Sequence, residues 1–220
     1  MGRNGPDTGA GSGLPAGAVL AVSFLVGSVP FAQLVARIRG GGDLRHQGSG
    51  TVSATGLGQV AGNRSLVLAG GLDVAKGTVG PLLAGPRRRP TVAALAGGAA
   101  VAGHNWSPLL AGAGGRGISP ALGALVVTAP AGSLILLAGV GLGRGARQTG
   151  LGALVGYAVL VPALHRLGGP GAARAGAFVL IPILVKRLTG NRPAPNRPAY
   201  LWRLLFDRDE RRRPAVRLVP

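Results

Sequence analysis

Apolar and polar positions along the chain separate into long blocks rather than alternating. Apolar runs occupy 14–36, 65–84, 91–112, 117–130, 131–142, 150–165 and 174–188, with glycine- or arginine-rich segments between them. A helix needs about 20 apolar residues to cross the hydrocarbon core, and fewer where it is partly buried in protein. The runs therefore predict an all-α polytopic membrane protein of about seven transmembrane helices. Within ISPALGALVVTAPAGSLILLAGVGL, Pro130-Ala131-Gly132 is a turn signal, which predicts two short helices in a hairpin rather than one long helix. The first run is read as a retained helix rather than a signal peptide, because of its length and the spans that follow.

Charge fixes the expected topology. With seven spans and an external N-terminus, the cytoplasmic side receives Arg37, Arg39, Arg45, Arg64, Arg116, Arg144, Arg147 and ten basic residues from Lys186 onward. That makes 17, against 6 outside (Arg3, Arg87, Arg88, Arg89, Arg166, Arg174), in keeping with the positive-inside tendency. The expected organisation is a disordered arm over 1–13, a transmembrane domain over 14–188, and a basic cytoplasmic tail over 189–220 lying on anionic headgroups.

The 220 residues carry a formal charge of +18, which on a soluble domain would point to nucleic acid. Here the mean hydropathy is +0.38 and the arginines fall between apolar runs, so the charge reads as topology and lipid contact, with no nucleic-acid partner. Cysteine is absent, which excludes disulfides, thiolate metal sites and a cysteine nucleophile. No metal or cofactor is expected. The abundance of Gly, Ala, Arg and Pro resembles a high-GC bacterial proteome.

Four segments reach the same cytoplasmic side on this topology: GDLRHQGSGTVSATG (42–56), LDVAKG (72–77), GHNWSPLLAGAGGRG (103–117) and RGARQTGLG (144–152). Glycine-rich backbone can turn amide N–H groups toward one anion, and irregular backbone at membrane depth is tolerated only where it is buried in protein or lines a wet cavity. Asp73 and Lys76 stand three residues apart in an apolar run, on one helical face. Charges in a membrane are costly and mark function; an intrahelical ion pair near the helix end is the plainer reading. His104 closes a small-residue span and reads either as a helix-end hydrogen-bonding group or as a base. His165 reads as interfacial and His46 as solvated.

GSVPF (27–31), DLRHQGSGTVSAT (43–55), LDVAKG (72–77) and GHNWSPLLAGAGGRG (103–117), in this order, resemble the bacterial acyl-phosphate:glycerol-3-phosphate acyltransferase family, the PlsY type. The resemblance spans about residues 20–190 and is specific in its first two-thirds. It implies a seven-span inner-membrane enzyme that moves a fatty acyl group from acyl phosphate to glycerol 3-phosphate, giving lysophosphatidic acid. It implies Ser28, Asp73 and His104 as catalytic residues. Phosphate binding would fall to Arg45, Gly48, Ser49, Gly50, Thr51, Lys76, Gly114, Gly115, Arg116 and Gly117, with Gly77 and Gly103 matching scaffold glycines. Glycines 48 and 50 would let the loop wrap a phosphate beside the Arg45 fork, against the alternative of a solvated linker.

Several positions depart from the family pattern. Thr51 replaces an asparagine, Ser53 a glycine and Gly56 an asparagine; Ala113 and Arg116 replace two lysines. Gly150 and Ala153 stand where the family has serines, and Ile181 and Leu184 where a C-terminal signature has histidine and asparagine. In the implied reaction the acyl phosphate is already activated, so positioning and oxyanion stabilisation by backbone amides suffice. The proton passes to a substrate phosphate oxygen, or to His104, the only plausible side-chain base. The alternative is a non-catalytic relative that keeps phosphate or phospholipid headgroup binding. A transporter fits less well, for no internal repeat is visible. Membrane lipids are the expected surroundings, and the oligomeric state stays open.

Overall fold

The computed structural model describes residues 13–40, 42–47 and 50–208; within them the regular structure is helical. Residues 1–12 of the arm expected over 1–13, loop residues Gly41, Gly48 and Ser49, and residues 209–220 of the expected tail lie outside the described residues. Helices α1 (Ala16–Gly27) and α2 (Phe31–Ile38) come from the first apolar run, read from the sequence as one span. Pro30 divides them, because its ring removes a backbone N–H and keeps the preceding residue out of the helical region.

The next element, α3 (Ala54–Ala84), starts where Ser53 Oγ accepts from the Gly56 amide, 3.2 Å away. It includes the run expected at 65–84 and reaches back past a break at Gly62, whose φ of +77° is left-handed. The third run, expected to extend to 112, is helical only as α4 (Pro90–Asn105). Its polar and glycine-rich end turns back on itself, with Ser107 N–H bonded to Ala113 O and Gly115 N–H to His104 O.

The hairpin expected over 117–142 is present as α5 (Ile118–Thr128) and α6 (Pro130–Gly145), with Ala129 alone between them. The last two runs form two helices, as expected, which meet at the non-helical Gly169, where φ is +72°; they are numbered together as α7 (Thr149–Thr189). Pro170 follows that glycine, so the chain reverses helical geometry where both residues favour a break. Beyond it α8 (Arg197–Phe206) begins at an Asn196 cap, 3.0 Å from the Ala199 amide. The described part of the stretch expected to be a tail thus includes a helix packed on the bundle, with Ala199 and Arg203 buried.

Three stretches are long and apolar enough to cross a bilayer: Ala16–Ile38, Ala54–Ala84 and Thr149–Thr189, with Ile118–Thr128 a shorter apolar helix. Helices meet through small residues, as in membrane bundles where close backbone approach replaces the hydrophobic drive. A Cβ at Gly27 would strike the Ala100 backbone, one at Gly77 that of Pro120, and one at Gly152 that of Gly139. The main core joins α4 to α7 through Val101, Leu125, Leu136, Leu160, Val179 and Ile183. A second core joins α2, α3 and the intervening loop through Val35, Leu44, Val52 and Leu57. Leu25, Leu134 and Leu142 remain exposed on the outside, where hydrocarbon would meet them.

The connections sort onto two ends. Residues 86–90, 128–131 and 167–175 surround an apolar cavity of about 400 Å³ at one end. The loops at 42–47 and 50–53, 106–117 and 190–193 gather at the other, joined by hydrogen bonds among Gly50, Gly114 and Asn191.

Candidate active site

The site is built on the Pro30 break. By interrupting the helix, Pro30 leaves the Val29 carbonyl outside the α-helical ladder, and Lys76 Nζ donates to it at 2.7 Å. Lys76 lies in α3, three residues after Asp73, and its ammonium also sits 2.7 Å from Asp73 Oδ1 and 3.0 Å from His104 Nδ1. An ammonium has three donors and no acceptor, so all three are engaged by protein groups. The Phe31 ring stands 5.7 Å away as a cation–π partner.

All three side chains are buried: Asp73 is 1%, Lys76 4% and His104 7% exposed. Because the ammonium can only donate, His104 Nδ1 accepts, and a neutral ring then carries its proton on Nε2. The imidazole is fixed from the far side by Gly115, where a Cβ would collide with Nε2. Asp73 Oδ1 belongs to the ion pair, whereas Oδ2 is buried and has no hydrogen-bond partner among the described residues. A buried acceptor without a donor costs about 1–3 kcal/mol, more when charged. Asp73, Lys76 and His104 face a narrow cavity closed by Ser28, Val52, Ser107 and Gly114.

Ser28 spends its hydroxyl proton on its own helix, donating to Phe24 O at 2.8 Å, while its carbonyl accepts from Ser107 Oγ at 2.6 Å. The two glycine loops lie side by side: Val52 N–H donates to Gly114 O at 3.1 Å. Gly50 holds φ of +68° and Gly117 +79°, both in the left-handed region that favours glycine. Thr51 lies between Gly50 and Val52, and a Cβ at Gly56 would come 3.0 Å from its carbonyl.

Arg45 forms a bidentate pair with Asp43, its Nη2 2.6 Å and its Nε 3.0 Å from the carboxylate oxygens. The Arg45 hydrogen bonds hold the Asp43 carboxyl down to about 2. Arg45 is not among the residues lining the cavity. Arg116 points its Nε at Asp207 Oδ1, 2.7 Å away, and donates from Nη1 to Lys186 O at 3.0 Å. The structure thus gathers Ser28, Asp73, Lys76, His104 and Gly114 at one cavity, with Gly115 against His104, while Arg45 and Arg116 are held by carboxylates beside it.

Three contributors escaped the sequence reading. Lys186 is 1% exposed, its Nζ over the Trp106 ring at 5.4 Å and 3.4 Å from Gly112 O, with no carboxylate paired to it among the salt bridges of the described residues. Asn191 bonds both glycine loops, and Asp207 pairs with Arg116. In the sequence Lys186 reads as topological charge. Its position one turn after Pro182, whose carbonyl accepts from Asn105 Nδ2 at 2.8 Å, shows that this face of α7 turns inward. Asn191 and Asp207 gave no signal of their own, because they act through chain reversals at Gly190 and at the end of α8. Ile181, where the family has histidine, is exposed.

A membrane helical bundle with a buried Asp–Lys–His cluster under paired glycine loops defines a class of integral membrane protein with a polar site at one end of its bundle. The family model described as glycerol-3-phosphate acyltransferase matches residues 17–191. The chain belongs to that family. It is 36% identical over 163 residues to a glycerol-3-phosphate acyltransferase of Roseobacter denitrificans, covering 73% of this chain and 82% of that one. It is 33% identical over 169 residues to the Brucella anthropi protein of the same name, covering 76% and 83%. Among solved structures it resembles PlsY (YgiH), an integral membrane glycerol 3-phosphate acyltransferase, in its glycerol 3-phosphate form. That likeness has a TM-score of 0.66 and 28% identity, and covers 80% of this chain and 94% of the other. The lysophosphatidic acid form gives a TM-score of 0.65 and 25% identity, covering 85% and 98%.

Proposed function

We propose that this chain is an acyltransferase that moves a fatty acyl group from acyl phosphate to glycerol 3-phosphate, releasing inorganic phosphate and forming lysophosphatidic acid. The observation that carries the reading is Asp73: a buried carboxylate at the cavity, one oxygen neutralised by Lys76 and the other without a donor among the described residues. A substrate hydroxyl supplies the missing donor.

In the proposed step the glycerol 3-phosphate hydroxyl oxygen attacks the acyl carbonyl. The bond from carbonyl carbon to phosphate oxygen breaks, and phosphate leaves. Asp73 Oδ2 takes the hydroxyl proton and passes it to the departing phosphate. Lys76 holds Asp73 ionised and ties it to His104, whose Nε2 packs against Gly115. The loops at Gly50–Thr51 and Gly114–Gly117 shape the phosphate end of the site, with the Gly50, Gly114 and Gly115 amides bonded within the protein to Gln47 O, Asn191 Oδ1 and His104 O. Arg45, Arg116 and the buried Lys186 add positive field, which raises the local concentration of anionic substrates.

The enzyme would lie in the bacterial inner membrane with seven spans, its glycine loops at the cytoplasmic end and its N-terminus outside. The test is purified protein in lipid supplied with acyl phosphate and glycerol 3-phosphate. Inorganic phosphate should appear in equal amount to lysophosphatidic acid. Phosphate release that does not depend on glycerol 3-phosphate, or none at all, would reject the reading.

A further inference from the structure

The end of α7 and the helix after it touch the glycine loops without lining the cavity. Gly190, with φ of +66°, ends α7 and turns the chain, and Pro193 and Pro195 in the segment that follows prevent helical continuation. Asn191 is thereby set between the two loops. Its Nδ2 donates to Gly50 O at 2.8 Å and to Gly114 O at 2.9 Å, while its Oδ1 accepts from Gly114 N–H at 3.1 Å. One amide side chain thus joins segments that are far apart in sequence.

The segment carrying Asn191 is itself held by α8. Arg203, buried at 2% exposure, donates to Leu188 O at 3.1 Å, Thr189 O at 2.8 Å, Arg192 O at 3.0 Å and Pro193 O at 3.3 Å. Helix ends leave carbonyls without intrahelical donors, and a basic side chain from a neighbouring helix satisfies these. Arg192 adds a long bond, 3.3 Å, from its Nη2 to Arg45 O. At its far end α8 presents Asp207 to Arg116. Two routes therefore run from α8 to the 112–117 loop, one through Asn191 to Gly114 and one through Asp207 to Arg116. Residues 192–208 lie beyond the stretch matched by the family model.

We propose that Asn191 is a positioning residue that locks the two glycine loops in register, and that Arg203 of α8 holds Asn191 in place. Fixing the loops sets the shape of the loop end of the site, so the clasp acts on recognition of the phosphate-bearing substrates rather than on the acyl-transfer step. The kinetic part rests on the acyltransferase reading; the clasp itself does not.

The experiment uses full-length protein in lipid bicelles and the variants Asn191→Ala, Asn191→Asp and Arg203→Lys. Asn191→Asp keeps the acceptor but removes both donors. Arg203→Lys keeps the charge but loses the fork that spans several carbonyls. The expected result is a KM for glycerol 3-phosphate raised about tenfold, as for loss of a hydrogen-bond set worth about 1.4 kcal/mol. The saturating kcat should stay within about threefold, and Asn191→Ala combined with Arg203→Lys should add little, as for residues of one network. An unchanged KM in both Asn191 variants, or fully additive effects in the double variant, would overturn the proposal. If the wild type transfers no acyl group, the acyltransferase reading alone fails, and hydrogen exchange decides the clasp. Faster exchange at the Val52 and Gly114 amides in Asn191→Ala supports it, and unchanged exchange overturns it.

Discussion

Lys76 has as many hydrogen-bond acceptors around it as it has donors, and that count shapes the chemistry open to its neighbours. With Val29 O, Asp73 Oδ1 and His104 Nδ1 within 3.0 Å, the ammonium is a fixed hub. The free valence of the cluster then lies at Asp73 Oδ2. Replacing Asp73 by Asn should lower kcat by about a hundredfold or more, the usual range for loss of a positioned base. The same change leaves a buried ammonium without its counter-charge, which costs about 3–5 kcal/mol, so lost activity alone would be ambiguous. Pairing it with Lys76→Met removes both charges and should recover much of the thermal stability without recovering turnover. A double variant that regained both stability and activity would show that Asp73 serves only to balance Lys76.

At the scale of elements, the sequence displayed what depends on local chemistry. The apolar blocks, the Pro130 turn and the Asp73–Lys76 spacing each follow from residues close in the chain, and each has its counterpart in the fold. The break at Pro30 was present in the GSVPF motif but not read as dividing a span. The left-handed positions at Gly62 and Gly169 were hidden among many glycines, since composition does not reveal which of them takes positive φ. Long-range partners were invisible for a related reason. Nothing near Lys186, Asn191 or Asp207 in the chain announces Trp106, Gly114 or Arg116.

The 42–47 loop gives the element-scale prediction. Asp43 caps its turn, accepting from the Arg45 amide at 2.9 Å as well as from the Arg45 guanidinium. Its carboxyl is held below the ordinary 3.8, at about 2, first by the Arg45 side-chain hydrogen bonds and then by the Arg45 amide. A carboxyl lowered in the folded protein stabilises above its unfolded value and loses that contribution as pH falls through the folded one. Order in this loop should therefore be independent of this group above pH 3.8 and decline toward pH 2. Amide hydrogen exchange of residues 43–47 should show the decline, and Asp43→Asn should abolish its pH dependence in that window. A wild-type loop with equal protection at both ends of the window would contradict the clamp.

For the whole molecule, the two clusters of connections settle which segments must share a side of the membrane, and charge then chooses the side. Arg87, Arg88 and Arg89 follow α3 at the end where Arg89 Nη1 donates to Leu14 O at 2.7 Å, so the start of α1 and the α3–α4 turn lie together. The glycine loops, the α6–α7 turn and α8 lie at the opposite end, joined through Arg187, whose Nη2 donates to Gly150 O at 2.6 Å and to Leu205 O at 3.3 Å. The positive-inside tendency predicts that this second, more basic end faces the cytoplasm. Because the chain has no cysteine, single cysteines report sides without background. A cysteine at Arg88 should react with an impermeant maleimide added to intact cells. Cysteines at Arg147 and Arg212 should react only after the membrane is opened. Labelling of Arg88 and Arg147 positions from the same side would break the two-ended arrangement of the bundle, whereas a clean reversal of all three would keep the fold and overturn the orientation drawn from charge.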